Sequence, residues 1–255
     1  MNKAGMTGLI LCLTAIIFGI ATNGGIGTLA NFVHIPSLIV TVGGASFALL
    51  ASMESLEDFF DGWKSIYYAY QKPTAHPEEV SEQIIEMANL ARREGLLSLD
   101  DYIKQITNEF MGKGVRLIVD GTDPELTRDI LESELLHKED RNRKRVRFWN
   151  DLGAYCPAWG MVGTLLGLIN MMRSMGTDAG AIGAGMSLAL ITTLYGSVMA
   201  NWICIPVGRK LENSSEQESL VMEVIIEGVL SIQAGENARI IKEKIKSILE
   251  EEEAA

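Results

Sequence analysis

The sequence predicts an all-α fold: a polytopic membrane protein with four transmembrane helices and helical cytoplasmic regions. Three observations predict it. Charge is absent from three long intervals, since no Asp, Glu, Lys or Arg falls between Lys3 and Glu54, from Leu152 to Met172, or from Ala179 to Gly208. The polar stretches between these intervals repeat apolar residues at helical spacing. Hydrophobic residues make up 47% of the 255 and mean hydropathy is +0.16, yet formal charge is -11, the balance of a chain divided between two solvents.

A bilayer core needs about 20 apolar residues per helix, so the first interval accommodates two spans and the others one each. The expected helices run from Gly5 to Thr22, Pro36 to Met53, Asp151 to Met172 and Ala181 to Gly208. Residues 1–53 thus carry the first two spans, 54–150 a large polar insert, 151–208 the last two spans and 209–255 a charged tail. Asn23-Gly24-Gly25-Ile26-Gly27 has turn composition and separates the first pair. Pro36 suits the first turn of the second helix, where a missing backbone N–H costs little. A cleavable signal peptide fits residues 1–22 less well, because no A-x-A site precedes the next hydrophobic stretch.

Lys138, Arg141, Arg143, Lys144, Arg145 and Arg147 precede the third span, and Arg209 and Lys210 follow the fourth, whereas no Lys or Arg separates the first two. The positive-inside rule then places both termini and the insert in the cytoplasm. The acidic cluster Glu54, Glu57, Asp58 and Asp61 neither supports nor overturns this. The basic run beside a membrane span reads as a topology and lipid-headgroup element, so membrane lipids are expected partners and nucleic acid is not.

In the insert, Leu56, Phe59, Phe60, Trp63, Ile66 and Tyr67 outline an amphipathic helix over 55–71, which the segment from Lys72 to Pro77 ends. Val80, Ile84, Met87 and Leu90 outline another over 78–94, interrupted by Gly95. A short helix is expected from Leu99 to Phe110, and Asp123-Pro124 opens a further one through Leu135. The tail, with Leu220, Val224, Val229, Ile232, Ile240, Ile241, Ile245 and Ile248, predicts one long helix or two. Its acidic end, Glu250 to Glu253, reads as solvated.

Enzyme signatures are weak. Cys12, Cys156 and Cys204 form no C-x-x-C pair, and His34, His76 and His137 are isolated, so neither a metal nor a catalytic site is expected. No P-loop or complete dinucleotide fingerprint is present, and no organic cofactor is implied. The chemistry concentrates in the last two spans. Gly160, Gly163, Gly167, Gly183, Gly185, Ser187 and Gly196 permit close helix contact. Thr164, Thr192, Thr193, Tyr195 and Ser197 add hydroxyls that need partners in hydrocarbon and can line a hydrated passage. Hydroxyls do not titrate near neutral pH, so a proton-driven cycle requires a carboxylate from another chain.

Three stretches carry a family resemblance: Ala91-Arg92-Arg93-Glu94-Gly95-Leu96-Leu97-Ser98-Leu99-Asp100, the run from Asp151 to Leu165 (DLGAYCPAWGMVGTL), and Thr192-Thr193-Leu194-Tyr195-Gly196. With the four-span layout they resemble the A subunit of the bacterial flagellar stator, the MotA/PomA family, over essentially the whole chain. The resemblance implies a complex of five A and two B subunits, the B partner (MotB/PomB) bringing an ion-binding Asp and a peptidoglycan-binding domain. Flow of H⁺ or Na⁺ would turn the A ring, which engages the rotor switch protein FliG. Arg92 matches the basic rotor-interface position, and Asp100 falls where many relatives have Glu. Arg93 and Glu94 are adjacent alternatives. Pro157 and Pro206 match the membrane-helix prolines assigned to conformational coupling. Thr164 leads the candidates for the ion path, followed by Thr193 and Thr192, which point to different helix faces. A three-span motor subunit of the TolQ/ExbB class, and a passive scaffold or autonomous transporter, are the competing expectations.

Overall fold

The computed structural model describes residues 3–71, 77–175 and 179–253, and every regular element among them is helical. The expected break at Lys72 to His76 lies outside the described residues. Helix α1 (Lys3–Gly24) has 22 residues, about 33 Å of helix. A 3₁₀ segment, Ile26–Phe32, follows Gly25, whose φ of 78° suits a residue without a Cβ. The second hydrophobic helix comprises α2 (Ile35–Leu38), a widened π turn (Ile39–Gly43) and α3 (Gly44–Ala51). His34 caps it, Nδ1 accepting from the Ser37 N–H, and Pro36 occupies its first turn as the sequence indicates.

Ser55 caps α4 (Leu56–Ala69) by accepting the Asp58 N–H at 3.1 Å. Next come α5 (Pro77–Glu94), the 3₁₀ turn Leu96–Ser98, α6 (Leu99–Ile103) and α7 (Glu109–Val119). The single helix expected from Leu99 to Phe110 is therefore two. Asn108 starts the second, its side chain accepting the Met111 N–H at 3.1 Å. Asp123 and Pro124 do open a helix, with Asp123 Oδ1 accepting the Glu125 N–H at 2.9 Å. That helix, α8 (Pro124–Ser174), does not stop at Leu135 but runs 51 residues and absorbs the third predicted span. Nothing between Glu125 and Leu152 is a Gly or Pro, so no breaker interrupts it. The fourth comprises α9 (Ala179–Val198), a π turn (Met199–Cys204) and the start of α10 (Ile205–Gln233). Gly235, at φ 71°, separates α10 from α11 (Ala238–Glu253), giving the two-helix form of the tail.

By length and composition, α8 and the helix over Ile182–Gln233 can cross a membrane, and Thr7–Thr22 and Ile35–Ala51 are shorter apolar helices. The chain divides into two compact units, one of residues 1–72 and 144–212, the other of 73–143 and 213–255.

The first unit holds an aromatic core. Phe148 and Trp149, both essentially inaccessible, meet Trp63 edge to face at centroid distances of 5.7 and 5.5 Å. Trp149 Nε1 donates to Ser65 Oγ at 2.9 Å, which satisfies the indole N–H inside that core. Leu56, Phe60 and Tyr67, read from sequence as the packing face of α4, are instead 63%, 58% and 70% exposed, whereas Phe59 and Trp63 turn inward. The α4 acids are matched from α8: Arg145 donates through Nε and a terminal nitrogen to Asp61 at 2.8 and 3.2 Å, and Lys144 lies 4.0 Å from Asp58. The acidic cluster that fitted no topology argument is thus partly paired within the chain.

The second unit packs Val80, Ile84 and Met87 of α5 against α7, the first part of α8, α10 and α11. Lys244 of α11 bonds Glu227 at 2.9 Å and Glu236 at 3.0 Å, tying the last helix back to α10 and to the turn that follows it.

Candidate functional site

In the first unit, α8 and α9 approach so closely that added Cβ atoms would strike backbone. At Gly167 a Cβ would lie 2.6 Å from the Gly185 carbonyl oxygen, and at Gly196 2.6 Å from that of Cys156. Gly160, Gly163 and Gly185 belong to the same seam, but Gly183 faces open space and Ser187 is exposed. The seam fixes the threonines. Thr192 is fully buried, its hydroxyl donating to Leu188 O at 2.9 Å and Ala189 O at 3.0 Å, while Thr41 donates to its carbonyl at 3.4 Å. Its side chain fills the space that a Cβ on Gly163 would take. Thr193 points the other way, is exposed, and shares a short hydrogen bond with Thr164, whose hydroxyl also lies 3.1 Å from Gly160 O and Ala189 O.

The structure therefore brings Thr164 and Thr193 together on one open face and sends Thr192 into the packing against the second hydrophobic helix. Adjacent residues on a helix are turned about 100° apart, which the sequence shows, but which residue meets the glycine seam depends on tertiary packing. Pro157 is exposed on α8 and level with Gly196, whose added Cβ would lie 3.1 Å from Pro157 Cα. Pro206 is the second residue after the π turn at Met199–Cys204. A widened turn accommodates the carbonyl that the ring of Pro206 cannot bond.

Sequence reasoning named Tyr195 as a hydroxyl and as part of the Thr192–Gly196 stretch, not as a contact between helices. The structure makes it a staple: Tyr195 Oη accepts the His34 N–H at 2.9 Å and donates to Phe32 O, holding the link between the first two hydrophobic helices to α9. Trp202 Nε1 likewise donates to Leu9 O at 3.0 Å. Both partners are backbone atoms far away in the chain, so no periodicity could reveal them. Among the described residues no cluster of His, Cys, Asp or Glu is arranged to hold a metal ion.

In the second unit, Arg92 and Arg93 occupy the last turn of α5, where cations complement the helix dipole. Gly95, at φ 87°, turns the chain into the 3₁₀ segment and α6, which carries Asp100. Arg92, Arg93, Glu94 and Asp100 are all exposed, and none forms an ion pair among the described residues. The corner is braced beside them. Tyr102 Oη donates to Glu86 at 2.8 Å, and burial, that bond and the carboxylate charge push the phenol up to about 12.

Fold and face together define a helical membrane protein with an open hydroxyl pair and a separate charged corner. Residues 102–224 match the MotA/TolQ/ExbB proton channel family. Motility protein A of Treponema phagedenis is 39% identical over 89% of this chain and 88% of its own length. Chemotaxis protein PomA of Vibrio alginolyticus is 36% identical over 98% and 96%. The solved structure of C. jejuni MotAB superposes with a TM-score of 0.87 at 27% identity, covering 97% of this chain and 96% of that one. The chain belongs to the MotA/TolQ/ExbB proton channel family, and within it to the motility protein A and PomA branch, the A subunits of flagellar stators.

Proposed function

We propose that this chain couples H⁺ or Na⁺ flow to rotation about a B subunit of the MotB/PomB type and delivers torque to the rotor switch protein FliG. The observation that carries the reading is the Thr164–Thr193 pair, a half-buried and an exposed hydroxyl joined on the α8–α9 face within charge-free sequence. Hydroxyls and carbonyls can ligate an ion or order water, but a titrating acid must come from a partner helix. Five A subunits around two B subunits is the assembly this reading adopts. The protein crosses the bacterial inner membrane four times, with both termini, residues 54–150 and residues 209–255 on the cytoplasmic side where the basic residues lie. Pro157 and Pro206 let α8 and the start of α10 adjust beside the partner acid. Arg92 and Asp100, flanked by Arg93 and Glu94, meet the rotor through exposed charges that steer a transient contact. The action is mechanical rather than enzymatic, and no organic cofactor takes part.

The test is reconstitution with the cognate B subunit and measurement of rotation under separately imposed proton and sodium gradients. Rotation under one gradient identifies the coupling ion. An assembled and activated complex that turns under neither would sink the reading. A co-purified partner without a peptidoglycan-binding domain would favour the TolQ/ExbB class instead.

A further inference from the structure

A polar column continues the open face of α9 past Thr193. Thr193, Ser197 and Asn201 follow at i, i+4 and i+8, and all three are exposed. Successive i+4 steps advance around an α-helix by about 40°. The π turn beginning at Met199 winds more slowly, which keeps Asn201 nearer the face of Thr193. Asn201 Nδ2 donates to Ser197 O at 2.9 Å. Its Oδ1 and second N–H have no bond among the described residues, although an amide can make four. Gly196, the residue before Ser197, is level with Pro157 across the seam, and Pro157 supplies no N–H to the Gly153 carbonyl one turn earlier. In the opposite direction from Thr193 the same face offers Leu190 and Met186, 67% and 49% exposed, with Leu165 and Met172 of α8 at 55% and 61%.

We propose that Ser197 and Asn201 form the water-filled exit half of the ion path, leading from the Thr164–Thr193 pair toward the end that bears Arg209, and that Leu190 and Met186 belong to a dry seal on the other side. This rests on the stator reading and adds direction to it. Exposed Ser and Asn in an apolar helix are costly against lipid and favourable beside water. Flexible apolar side chains such as Met close around a moving partner helix without directional bonds. An ion released at the threonine level then meets hydroxyl, amide and carbonyl oxygen on one side and a dewetted constriction on the other.

The experiment uses the full A–B complex with Cys12 replaced by Ala, since Cys156 and Cys204 are fully buried. Single cysteines at 186, 190, 197 and 201 are exposed, in vesicles of each orientation, to a membrane-impermeant methanethiosulfonate. Ser197→Cys and Asn201→Cys react from the Arg209 side, at least about tenfold faster than Leu190→Cys and Met186→Cys. Equal reactivity at all four positions, or silence at 197 and 201, overturns the proposal. The double variant Ser197→Val, Asn201→Leu assembles normally but conducts and rotates at least about tenfold more slowly; wild-type speed with normal assembly also overturns it. Labelling is read without rotation. A complex that never turns therefore refutes the stator reading, while the labelling pattern still decides this one.

Discussion

The two compact units reach order by opposite means. The membrane-type unit is specified by side chains that are missing: Gly167, Gly185 and Gly196 let backbones touch, and Thr192 and Thr193 bond to backbone carbonyls of their own helix. The second unit is specified by side chains that are present, an aliphatic core of Ile84, Met111, Ile225 and Ile241 with Lys244 clamped between two carboxylates. The difference follows from the solvent. In hydrocarbon, burying one more Leu gains little over leaving it in lipid, so close packing and satisfied polar groups decide. In water, apolar burial does the work at about 25 cal/mol per Å².

Small-to-large changes should break this comparison most sharply. Gly196→Val places a Cβ 2.6 Å from the Cys156 carbonyl oxygen, a backbone atom that cannot swing aside. Loss of the assembled complex is expected, read as B-subunit co-purification. The contrasting change in the second unit is Gly114→Ala, whose Cβ would lie 3.1 Å from a Val229 methyl. A side chain can yield, and Ala gains about 1 kcal/mol of helix propensity over Gly, so the variant should melt close to wild type. Equal damage from both substitutions would erase the distinction between the units.

A large-to-small change reverses the ranking. Ile225 is completely buried in the second unit, and Ile225→Ala should cost about 2–5 kcal/mol, the lost transfer energy plus the cavity. Denaturant titration of the complex, followed by a probe in residues 213–255, checks it.

How much of this contrast the sequence disclosed also depends on solvent. Charge-free intervals located the hydrophobic helices, because a bilayer excludes charge regardless of tertiary detail. Pro36, Gly95 and Asp123-Pro124 marked true boundaries, because their constraints are local. The continuation of α8 past Leu135 was hidden, since the charged run from Lys138 to Arg147 is good helix sequence and patterning showed only where polarity changed. The break between Ile103 and Glu109 was hidden because Lys104 to Asn108 contains no Gly or Pro. Apolar spacing found the helix α4 but not which of its apolar residues are covered: Phe59 and Trp63 turn inward, whereas Leu56, Phe60 and Tyr67 stay exposed. In the candidate site, Thr164 and Thr193 were legible as residues but not as a pair. Their meeting depends on the glycine seam, which joins positions about thirty residues apart.

The α4–α8 ion pairs allow a finer comparison. Arg145 grips Asp61 with two nitrogens and lies over the Tyr68 ring at 4.8 Å. Half-exposed pairs are worth little unless geometry is good, and this forked geometry is good. Asp61→Asn should therefore lower stability by about 1 kcal/mol, read as a small fall in the melting temperature of the first unit. Arg145→Lys should do similar damage, because an ammonium cannot reproduce the fork or the stacking. No change in either variant would place this pair among the surface contacts that contribute nothing.

The smallest effect tests whether the second unit truly satisfies its hydroxyls with charge where the first uses backbone. Tyr102 is held up to about 12, from an ordinary 10, first by burial, then by its bond to Glu86 and by the charge of that carboxylate. A folded-state value above the unfolded one means that the folded chain keeps the proton longer. The associated stability is fully present below pH 10 and is lost as pH rises through about 12. Phenolate absorbance, taken as the difference between wild type and Tyr102→Phe, should show that high midpoint. Glu86→Gln keeps an acceptor but removes the charge, so the midpoint should fall while remaining above the ordinary value, because burial persists. A midpoint that ignores Glu86 would mean that the α5–α6 corner carrying Arg92 and Asp100 is held by apolar packing alone.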